Sequence, residues 1–228
     1  MKLELSGITK SYGGRVVLDI DSFTFKESGC YAVIGPNGSG KSTLLKLIAG
    51  IEAVDWGCVS YNGVASLPEK SVAFMPQKPY IFDMSVYENI VSGIRGNKDW
   101  DKTAKAVIEQ AGLGSLAKSN ARRISGGEAQ KTAVLRTLVL NSELILLDEP
   151  ATFIDISNMQ LIENCIKTMR QDKSTVIFTT HNPSQALRLA DEVLVLMDGK
   201  LAESGPVQKV LNSPSCARTK DFLNNWRI

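Results

Sequence analysis

The sequence predicts an α/β fold in which strands are covered on both faces and a helical segment is inserted among them. Two short runs, Cys30 to Ile34 and Leu144 to Leu147, are apolar at successive positions, as in strands buried on both sides. The first run passes through glycines into Lys41 to Ala49, where leucine and isoleucine have helical spacing. From about residue 85 to 140 the pattern is mostly helical.

Length and composition fit a single domain spanning residues 1–228. The chain has 228 residues, of which 43% are hydrophobic, enough to bury the core of one large α/β domain. Its formal net charge of +2 offers no bulk electrostatic attraction to nucleic acid. We therefore expect no nucleic-acid partner.

The cysteines and the single histidine argue against a zinc site. Cys30, Cys58, Cys165 and Cys216 form no Cys-x-x-Cys pair, and His181 is the one histidine. Scattered cysteines are typical of small buried hydrophobic residues in a reducing compartment. The first residues lack the apolar core of a signal peptide, and no apolar run approaches the ~20 residues that span a bilayer. We expect a soluble protein that reaches a membrane only through a partner.

Further strands and helices follow from periodicity and from the residues that bound them. We expect strands at 3–8, 16–18, 23–25, 72–75 and 175–179, and a hairpin of 193–197 with 200–204. Asp198-Gly199 supplies the turn of that hairpin. Ser85 and Glu88 have the spacing of a capping box that begins a helix. Helices are also expected at 100–111, at 159–169 and after residue 206.

The segment after the first buried strand has the pattern G-x-x-x-x-G-K-[ST] and precedes a helix. Glycines let backbone N–H groups approach phosphate oxygens, and the helix N-terminus adds partial positive charge. Lys41 can reach the β- and γ-phosphates, and the Ser42 hydroxyl can bind magnesium. These features predict a P-loop NTPase core that binds ATP and Mg²⁺. The predicted loop residues are Gly35, Pro36, Asn37, Gly38, Ser39, Gly40, Lys41, Ser42 and Thr43.

The second buried strand ends in two adjacent carboxylates, Asp148 and Glu149. Side chains alternate along a strand, so the two carboxylates should point in different directions. We assign Asp148 to the magnesium shell, through water, and Glu149 to the attacking water as general base. A solvated turn is the alternative, and it is disfavoured because a phosphate loop precedes this strand in the same chain.

A third motif, Ile124 to Gln130, reads Ile-Ser-Gly-Gly-Glu-Ala-Gln. Ser125 and Glu128 could form a capping box, but two glycines in the first helical turn weaken a helix by about 1 kcal/mol each. Close approach of backbone to phosphate would require such glycines. The segment resembles the signature loop, usually Leu-Ser-Gly-Gly-Gln, of ATP-binding cassette (ABC) proteins. The resemblance covers essentially the whole chain.

The resemblance implies roles for further residues. Tyr12 is implied to stack on adenine, Gln77 to contact magnesium and water, and Asp155 to lie across a dimer interface. His181 is implied to hold the γ-phosphate. The implied nucleotide-binding residues of the signature are Ser125, Gly126, Gly127 and Glu128. The implied catalytic residues are Lys41, Gln77, Glu149 and His181, and the metal residues are Ser42, Gln77 and Asp148.

The family fold has a mixed sheet, an N-terminal antiparallel β subdomain and an inserted helical subdomain, which we place at about 85–140. Some positions depart from the family pattern. Ile124 and Glu128 replace the usual leucine and glutamine, and Lys131 stands where arginine is common. Phe153 interrupts the usual small-residue loop before Asp155, which affects the dimer contact expected there.

The resemblance implies an ATPase that serves as the motor of a multi-subunit ABC transporter. Two such domains, expected to be identical, would pair head to tail and close on ATP. Segment 78–84, which follows Gln77, is expected to dock a helix of a separate permease. The free-standing domain, and the residues after His181, are similar to prokaryotic importers of oxyanions such as tungstate or molybdate, or of amino acids. An extracytoplasmic solute-binding protein and a cytoplasmic location on the inner face of the membrane would follow.

Two other classes remain as alternatives. One is a soluble ABC ATPase without a transport role, of the iron–sulfur assembly or cell-division type. The other is a different P-loop enzyme such as a small-molecule kinase, which the Ser125-Gly126-Gly127 motif and His181 disfavour. DNA-repair ATPases of the family are disfavoured because Ser42 and Ser125 are too close in sequence to enclose a long coiled coil. Translation-factor members usually carry two cassettes, and this chain has one.

Overall fold

A computed structural model describes residues 1–94, 99–152, 154–169 and 174–226. Its strands are β1 Leu3–Tyr12, β2 Arg15–Phe25, β3 Cys30–Ile34, β4 Trp56–Tyr61, β5 Val72–Met75, β6 Leu144–Leu147, β7 Thr175–Thr180, β8 Glu192–Met197 and β9 Lys200–Pro206. Its helices are α1 Lys41–Ile48, α2 Val86–Val91, α3 Asp99–Gln110, α4 Gly126–Leu138, α5 Ile156–Met169, α6 Pro183–Leu189, α7 Val207–Asn212 and α8 Ala217–Asn224. Among the described residues, no helix is both long and apolar enough to cross a membrane.

The strands form two sheets. A three-stranded antiparallel sheet has the order β2-β1-β4, and a six-stranded sheet has the order β5-β6-β7-β3-β8-β9. All pairings in the larger sheet are parallel except that of β8 with β9. The predicted α/β fold, with a mixed sheet and an N-terminal antiparallel sheet, is confirmed.

The larger sheet is buried on both faces, which explains the continuous apolar runs. Along β3, Tyr31 and Val33 pack into a core shared with α1 and the small sheet. The alternate residues Ala32 and Ile34 pack into a second core, to which α4, α5 and α6 contribute. Since successive side chains of a strand point to opposite faces, both faces need apolar residues.

The elements between β5 and β6 in the described residues are helical. Helix α2 begins at a capping box in which the Ser85 side chain and Glu88 exchange hydrogen bonds, as the sequence predicts. Helix α4 packs against α2 and α5. Its buried face places Val134 and Leu135 in the second core. This helical segment therefore rests on the sheet beside the ends of β5 and β6.

Some predictions of local structure were wrong. The strands expected at 16–18 and 23–25 are one continuous strand, because β2 pairs with β1 along most of its length. Strand β4 was not predicted, because glycine at position 57 interrupts the strand pattern of the sequence. In the structure Gly57 has a φ of +82°. The cysteines are all free, but only Cys30 and Cys165 are buried, while Cys58 and Cys216 are partly exposed.

Candidate functional site

The strand order brings four predicted segments to one edge of the larger sheet. The phosphate loop follows β3, Gln77 follows β5, the acidic pair follows β6 and His181 follows β7. The carboxyl ends of parallel strands meet at the same edge, and β5, β6, β7 and β3 are successive neighbours. Residues far apart in sequence are therefore close to the phosphate loop.

Glycines at both ends of the phosphate loop are required by its backbone. Gly35 has a φ of +149°, and a Cβ there would lie 2.1 Å from the carbonyl oxygen of Leu196. Gly40, the residue before α1, has a φ of +98°, and its Cβ would lie 2.7 Å from a methyl carbon of Leu18. Side chains at either position would displace neighbouring structure. Glycine at these two positions therefore lets the loop pack against Leu196 and Leu18 in its observed conformation.

A cavity of about 330 Å³ lies against this loop. The predicted residues that line it are Asn37, Gly38, Gly40, Lys41, Ser42, Thr43, Gln77 and Glu149. The structure thus brings the phosphate loop, Gln77 and the proposed general base to one cavity. Ser39, also in the loop, is buried, and the Pro36 carbonyl oxygen accepts a hydrogen bond from Lys41.

Lys41 is buried, with its side chain folded against the loop. Its Nζ donates to the carbonyl oxygens of Gly35 at 3.0 Å and Pro36 at 2.9 Å. Burial lowers the pKa of Lys41, and the nearby carboxylates of Glu149 and Asp148 partly oppose that shift. The ammonium group is thus held at the loop by backbone acceptors that a phosphate could replace.

Asp148 and Glu149 have different environments, as predicted, but both follow the end of β6 at Leu147, so a turn rather than strand alternation separates them. Asp148 is buried and accepts a hydrogen bond of 2.6 Å from the Thr179 hydroxyl, whereas Glu149 lines the cavity. The same hydroxyl accepts the backbone N–H of Glu149 at 2.8 Å. Glu149 has a φ of +49°, uncommon for a residue with a side chain. Thr179 therefore stabilises the backbone turn that separates the two carboxylates.

One oxygen of the Glu149 carboxylate is surrounded by three polar groups. Its Oε2 accepts from Gln77 Nε2 at 3.2 Å and from the Thr152 hydroxyl at 2.9 Å. His181 Nδ1 lies 3.4 Å from the same oxygen. These contacts orient the carboxylate at the rim of the cavity. They also join two predicted catalytic side chains, Gln77 and His181, to Glu149.

His181 is half exposed and lies between two neighbours. A smaller cavity of about 60 Å³ on its side of the site is also lined by Glu149 and Thr152. The Trp226 ring lies against the imidazole, with 5.8 Å between ring centroids. His181 thus contacts Glu149, the proposed general base, and Trp226, which follows α8.

The signature motif begins α4 and forms the capping box that was the alternative interpretation. The Ser125 hydroxyl accepts from the Glu128 N–H, and the Glu128 side chain accepts from the Ser125 N–H. The Ser125 hydroxyl also donates to Glu128 Oε2 at 2.8 Å, and this bond, together with that from the Ser125 N–H, lowers the pKa of Glu128. A Cβ at Gly126 would meet nothing within 4 Å, so local packing does not explain that glycine. Ser125, Gly126 and Gly127 do not line the phosphate cavity of this chain.

Helix α4 nevertheless contacts the site through a residue that received no role from the sequence. Gln130 is buried, and its Nε2 donates to the carbonyl oxygen of Glu149 at 3.2 Å. Thr152 and Thr179 were also missed. No local sequence pattern marks Thr179, since it lies beside Asp148 only because Leu147 pairs with Phe178 in the parallel register of β6 and β7.

Tyr12 and Asp155 are two further predicted residues that do not line the phosphate cavity. Tyr12 ends β1 and is 44% exposed, and its phenol donates a hydrogen bond to the Glu52 carboxylate. Asp155 precedes α5, where its carboxylate accepts from the N–H and side chain of Asn158. Phe153, in the loop before Asp155, lies outside the described residues.

Segment 78–84, next to Gln77, presents two exposed aromatic rings. Tyr80 is 62% exposed and Phe82 is 39% exposed, with ring centroids 5.2 Å apart. Arg136 of α4 donates to the Tyr80 carbonyl oxygen at 2.7 Å and lies over the Phe82 ring at 5.0 Å. The segment is therefore ordered by the same helix that begins at Ser125.

Comparisons with known proteins agree with this geometry. The family model described as ABC transporter matches residues 18–152. The tungstate uptake system ATP-binding protein of Peptoclostridium acidaminophilum is 36% identical, over 90% of this chain and 98% of that protein. The molybdate/tungstate import ATP-binding protein of Thermococcus kodakarensis is 33% identical, over 98% of this chain and 70% of that protein.

Solved structures show the same fold. A structure of the ATP-binding subunit of an ABC transporter superposes with a TM-score of 0.83 and 20% identity, over 99% of both chains. A bacterial ABC exporter with ATP bound superposes with a TM-score of 0.87 and 23% identity, over all of this chain and 42% of that one. This chain thus has the fold of the ATP-binding domain in each of these two proteins.

Proposed function

This chain belongs to the ABC transporter family of ATPases, and from that membership we propose that it is the ATP-hydrolysing motor subunit of a multi-subunit importer. The relatives that match it over nearly their whole length are named as uptake and import ATP-binding proteins. This similarity does not favour a soluble ATPase without a transport role. The observation that carries the catalytic proposal is the Glu149 carboxylate, which lies at the phosphate cavity in contact with Gln77 and His181.

In the proposed reaction, ATP binds with its phosphates against the loop from Gly35 to Thr43. Lys41 exchanges its backbone acceptors for phosphate oxygens. Glu149 accepts a proton from the attacking water, Gln77 orients that water and His181 holds the γ-phosphate. Each of these side chains contacts the cavity or Glu149, which supports their acting on one nucleotide.

The donors present suit Mg²⁺. This ion prefers oxygen ligands and is usually held by one or two protein groups together with phosphates and water. Ser42 and Gln77 line the same cavity. Gln77 donates a hydrogen bond to Glu149 through Nε2, so its amide oxygen can bind the metal ion. Asp148, buried beside Glu149, would act through water. Bound there, Mg²⁺ would neutralise developing charge on the phosphates.

We further propose that a second copy of this chain completes the site. The α4 N-terminus at Ser125 offers N–H groups and partial positive charge suited to a phosphate, but it lies outside the phosphate cavity of its own chain. A head-to-tail dimer would bring the signature residues of one subunit to ATP bound by the other. Asp155 would lie across that interface. Hydrolysis would remove the shared γ-phosphate and loosen the dimer.

Glu149→Gln tests the catalytic proposal. The amide keeps the size of the side chain but cannot take a proton, so we expect turnover to fall about 10²- to 10⁴-fold while ATP binding remains. Gel filtration with ATP and Mg²⁺ should show a stable dimer of this variant. Glu143→Gln is the matched control, since Glu143 is exposed at the opposite end of β6. Full turnover by a Glu149→Gln monomer would refute the scheme.

The exposed aromatic segment supports coupling to a permease. We propose that Tyr80 and Phe82 receive a helix of the transmembrane subunit, so that this chain lies on the inner face of the cell membrane. Polar or charged substitutions at Tyr80 or Phe82 should uncouple transport from ATP hydrolysis in a reconstituted complex. Val64→Asp, at an exposed apolar residue elsewhere, is the control and should leave coupling intact. Unchanged coupling in the aromatic variants would reject the docking proposal.

The cargo we propose is a tungstate- or molybdate-like oxyanion, delivered by an extracytoplasmic solute-binding protein. The support is the similarity to the tungstate and molybdate/tungstate proteins. In the reconstituted transporter, tungstate or molybdate should stimulate ATP turnover at lower concentration than phosphate or sulfate. Stimulation by phosphate alone would instead assign this chain to the phosphate importers that it also resembles.

A further inference from the structure

Tyr12, the aromatic residue proposed to stack on adenine, is linked by hydrogen bonds to α1, the helix that follows the phosphate loop. Tyr12 ends β1, and its phenol donates to the carboxylate of Glu52. Glu52 lies in the loop just after α1, the helix that begins at Lys41. Its second oxygen accepts from Lys46 Nζ of α1 at 3.1 Å. A single carboxylate therefore joins the aromatic ring to the helix that carries the phosphate-binding lysine.

A second connection involves a face of the ring. The Lys10 ammonium is 5.6 Å from the centroid of the Tyr12 ring, within cation–π range. Lys10 also donates to Asp55 Oδ1 at 3.0 Å, and the other oxygen of Asp55 accepts the Ser11 N–H at 2.6 Å. These bonds lower the pKa of Asp55, which stays ionised. The loop after α1 is thus hydrogen-bonded to the end of β1 through both Glu52 and Asp55.

These contacts matter because the local backbone would not hold the ring by itself. Gly13 and Gly14 follow Tyr12, both with positive φ, and nothing lies within 4 Å of a Cβ built at either. A large aromatic beside such an open turn samples several rotamers unless neighbours restrict it. Lys10 and Glu52 are partly buried, with side chains 14% and 23% exposed, so solvent screens their interactions less than those of a surface pair.

We propose that Glu52 and Lys10 are positioning residues for the nucleotide base. Lys10 lies over one face of Tyr12 and Glu52 fixes the orientation of the ring, which leaves the other face for a purine. Because Glu52 is also bonded to α1, the stacking surface stays at a set distance from Lys41. This inference rests on the proposed function, in which ATP is the ligand and Tyr12 contacts its base.

The experiment compares ATP with inorganic tripolyphosphate, which carries the phosphates but no base, as ligands of the full chain. Glu52→Ala should weaken ATP binding about three- to tenfold, the effect of one lost hydrogen bond, and leave tripolyphosphate affinity unchanged. Tyr12→Phe should do the same, since it removes only the phenol oxygen. The double variant should be no weaker than either single one. Glu69→Ala, at an exposed residue, is the control.

The readouts separate this inference from the proposed function. A merely structural role of Glu52 would lower the affinity for both ligands and would overturn the inference. If Tyr12→Ala weakens ATP binding but Glu52→Ala and Tyr12→Phe do not, Tyr12 contacts the base without help and the inference is wrong. If Tyr12→Ala itself has no effect on ATP affinity, the role of Tyr12 fails and the inference fails with it. In the expected case, KM for ATP rises in Glu52→Ala while kcat is kept.

Discussion

Thr179→Val removes one buried hydroxyl that stabilises two groups of the site. Thr179 is fully buried, and its Oγ1 donates to Asp148 Oδ1 at 2.6 Å and accepts the Glu149 N–H at 2.8 Å. Valine has nearly the same shape, so packing in β7 should survive. The substitution would leave a buried carboxylate without this donor and a backbone N–H without its acceptor.

The expected magnitude follows from these two losses. A hydrogen bond to a charged group contributes about 1.5–3 kcal/mol, and an unsatisfied buried N–H costs about 1–3 kcal/mol. The two terms share one hydroxyl and are not fully additive, so we expect the free energy of unfolding to fall by about 3 kcal/mol. For a chain of this size that corresponds to a melting temperature lower by roughly 6–12 °C. Turnover should fall by about tenfold or more, because Glu149 loses its fixed orientation.

Urea unfolding and steady-state ATPase assays on the same preparations measure both effects. Thr179→Ser keeps the hydroxyl and should restore most of the activity. Thr137→Val is the matched control, because the Thr137 hydroxyl donates only to the Ala133 carbonyl of its own helix. We expect that control to lower the free energy of unfolding by only about 1 kcal/mol, since it removes one hydrogen bond between neutral groups. If Thr179→Val were as stable and active as wild type, the hydroxyl would not be holding the two acidic residues.

Three further outcomes are expected. Burial raises the pKa of Tyr61 to about 12, so the phenol loses its proton at lower pH in the unfolded state than in the folded state. The free energy of unfolding should therefore fall by about 2–3 kcal/mol between pH 10 and 12. Urea titrations of Tyr61→Phe should lack this loss. Gly57→Ala should lower the free energy of unfolding by at least about 2 kcal/mol in the same assay, because φ is +82° and the new Cβ would lie 2.2 Å from the Gly7 carbonyl oxygen. Trp226→Ala should lower kcat about threefold or more without changing KM for ATP, since it frees the His181 ring; a change in KM alone would contradict this.

The signature motif shows how a sequence pattern can satisfy two interpretations together. Ser125 and Glu128 form the capping box that the spacing allows, and this bond begins α4. The cap does not account for Gly126, which has open space around it. The capping box therefore leaves open space at Gly126, as the proposed dimer requires. The capping role and the proposed phosphate-binding role of this motif are therefore compatible.

By itself, the sequence determined the phosphate loop, the acidic end of β6, the capping boxes and the burial of the central strands. Each of these depends on neighbouring residues: glycine at positive φ, side-chain alternation, or a polar residue at the start of a helix. Only the tertiary structure decided that Thr179 contacts both Asp148 and Glu149, and that Glu52 contacts Tyr12. Those contacts depend on strand order and on where the loop after α1 returns to β1, which no local pattern encodes.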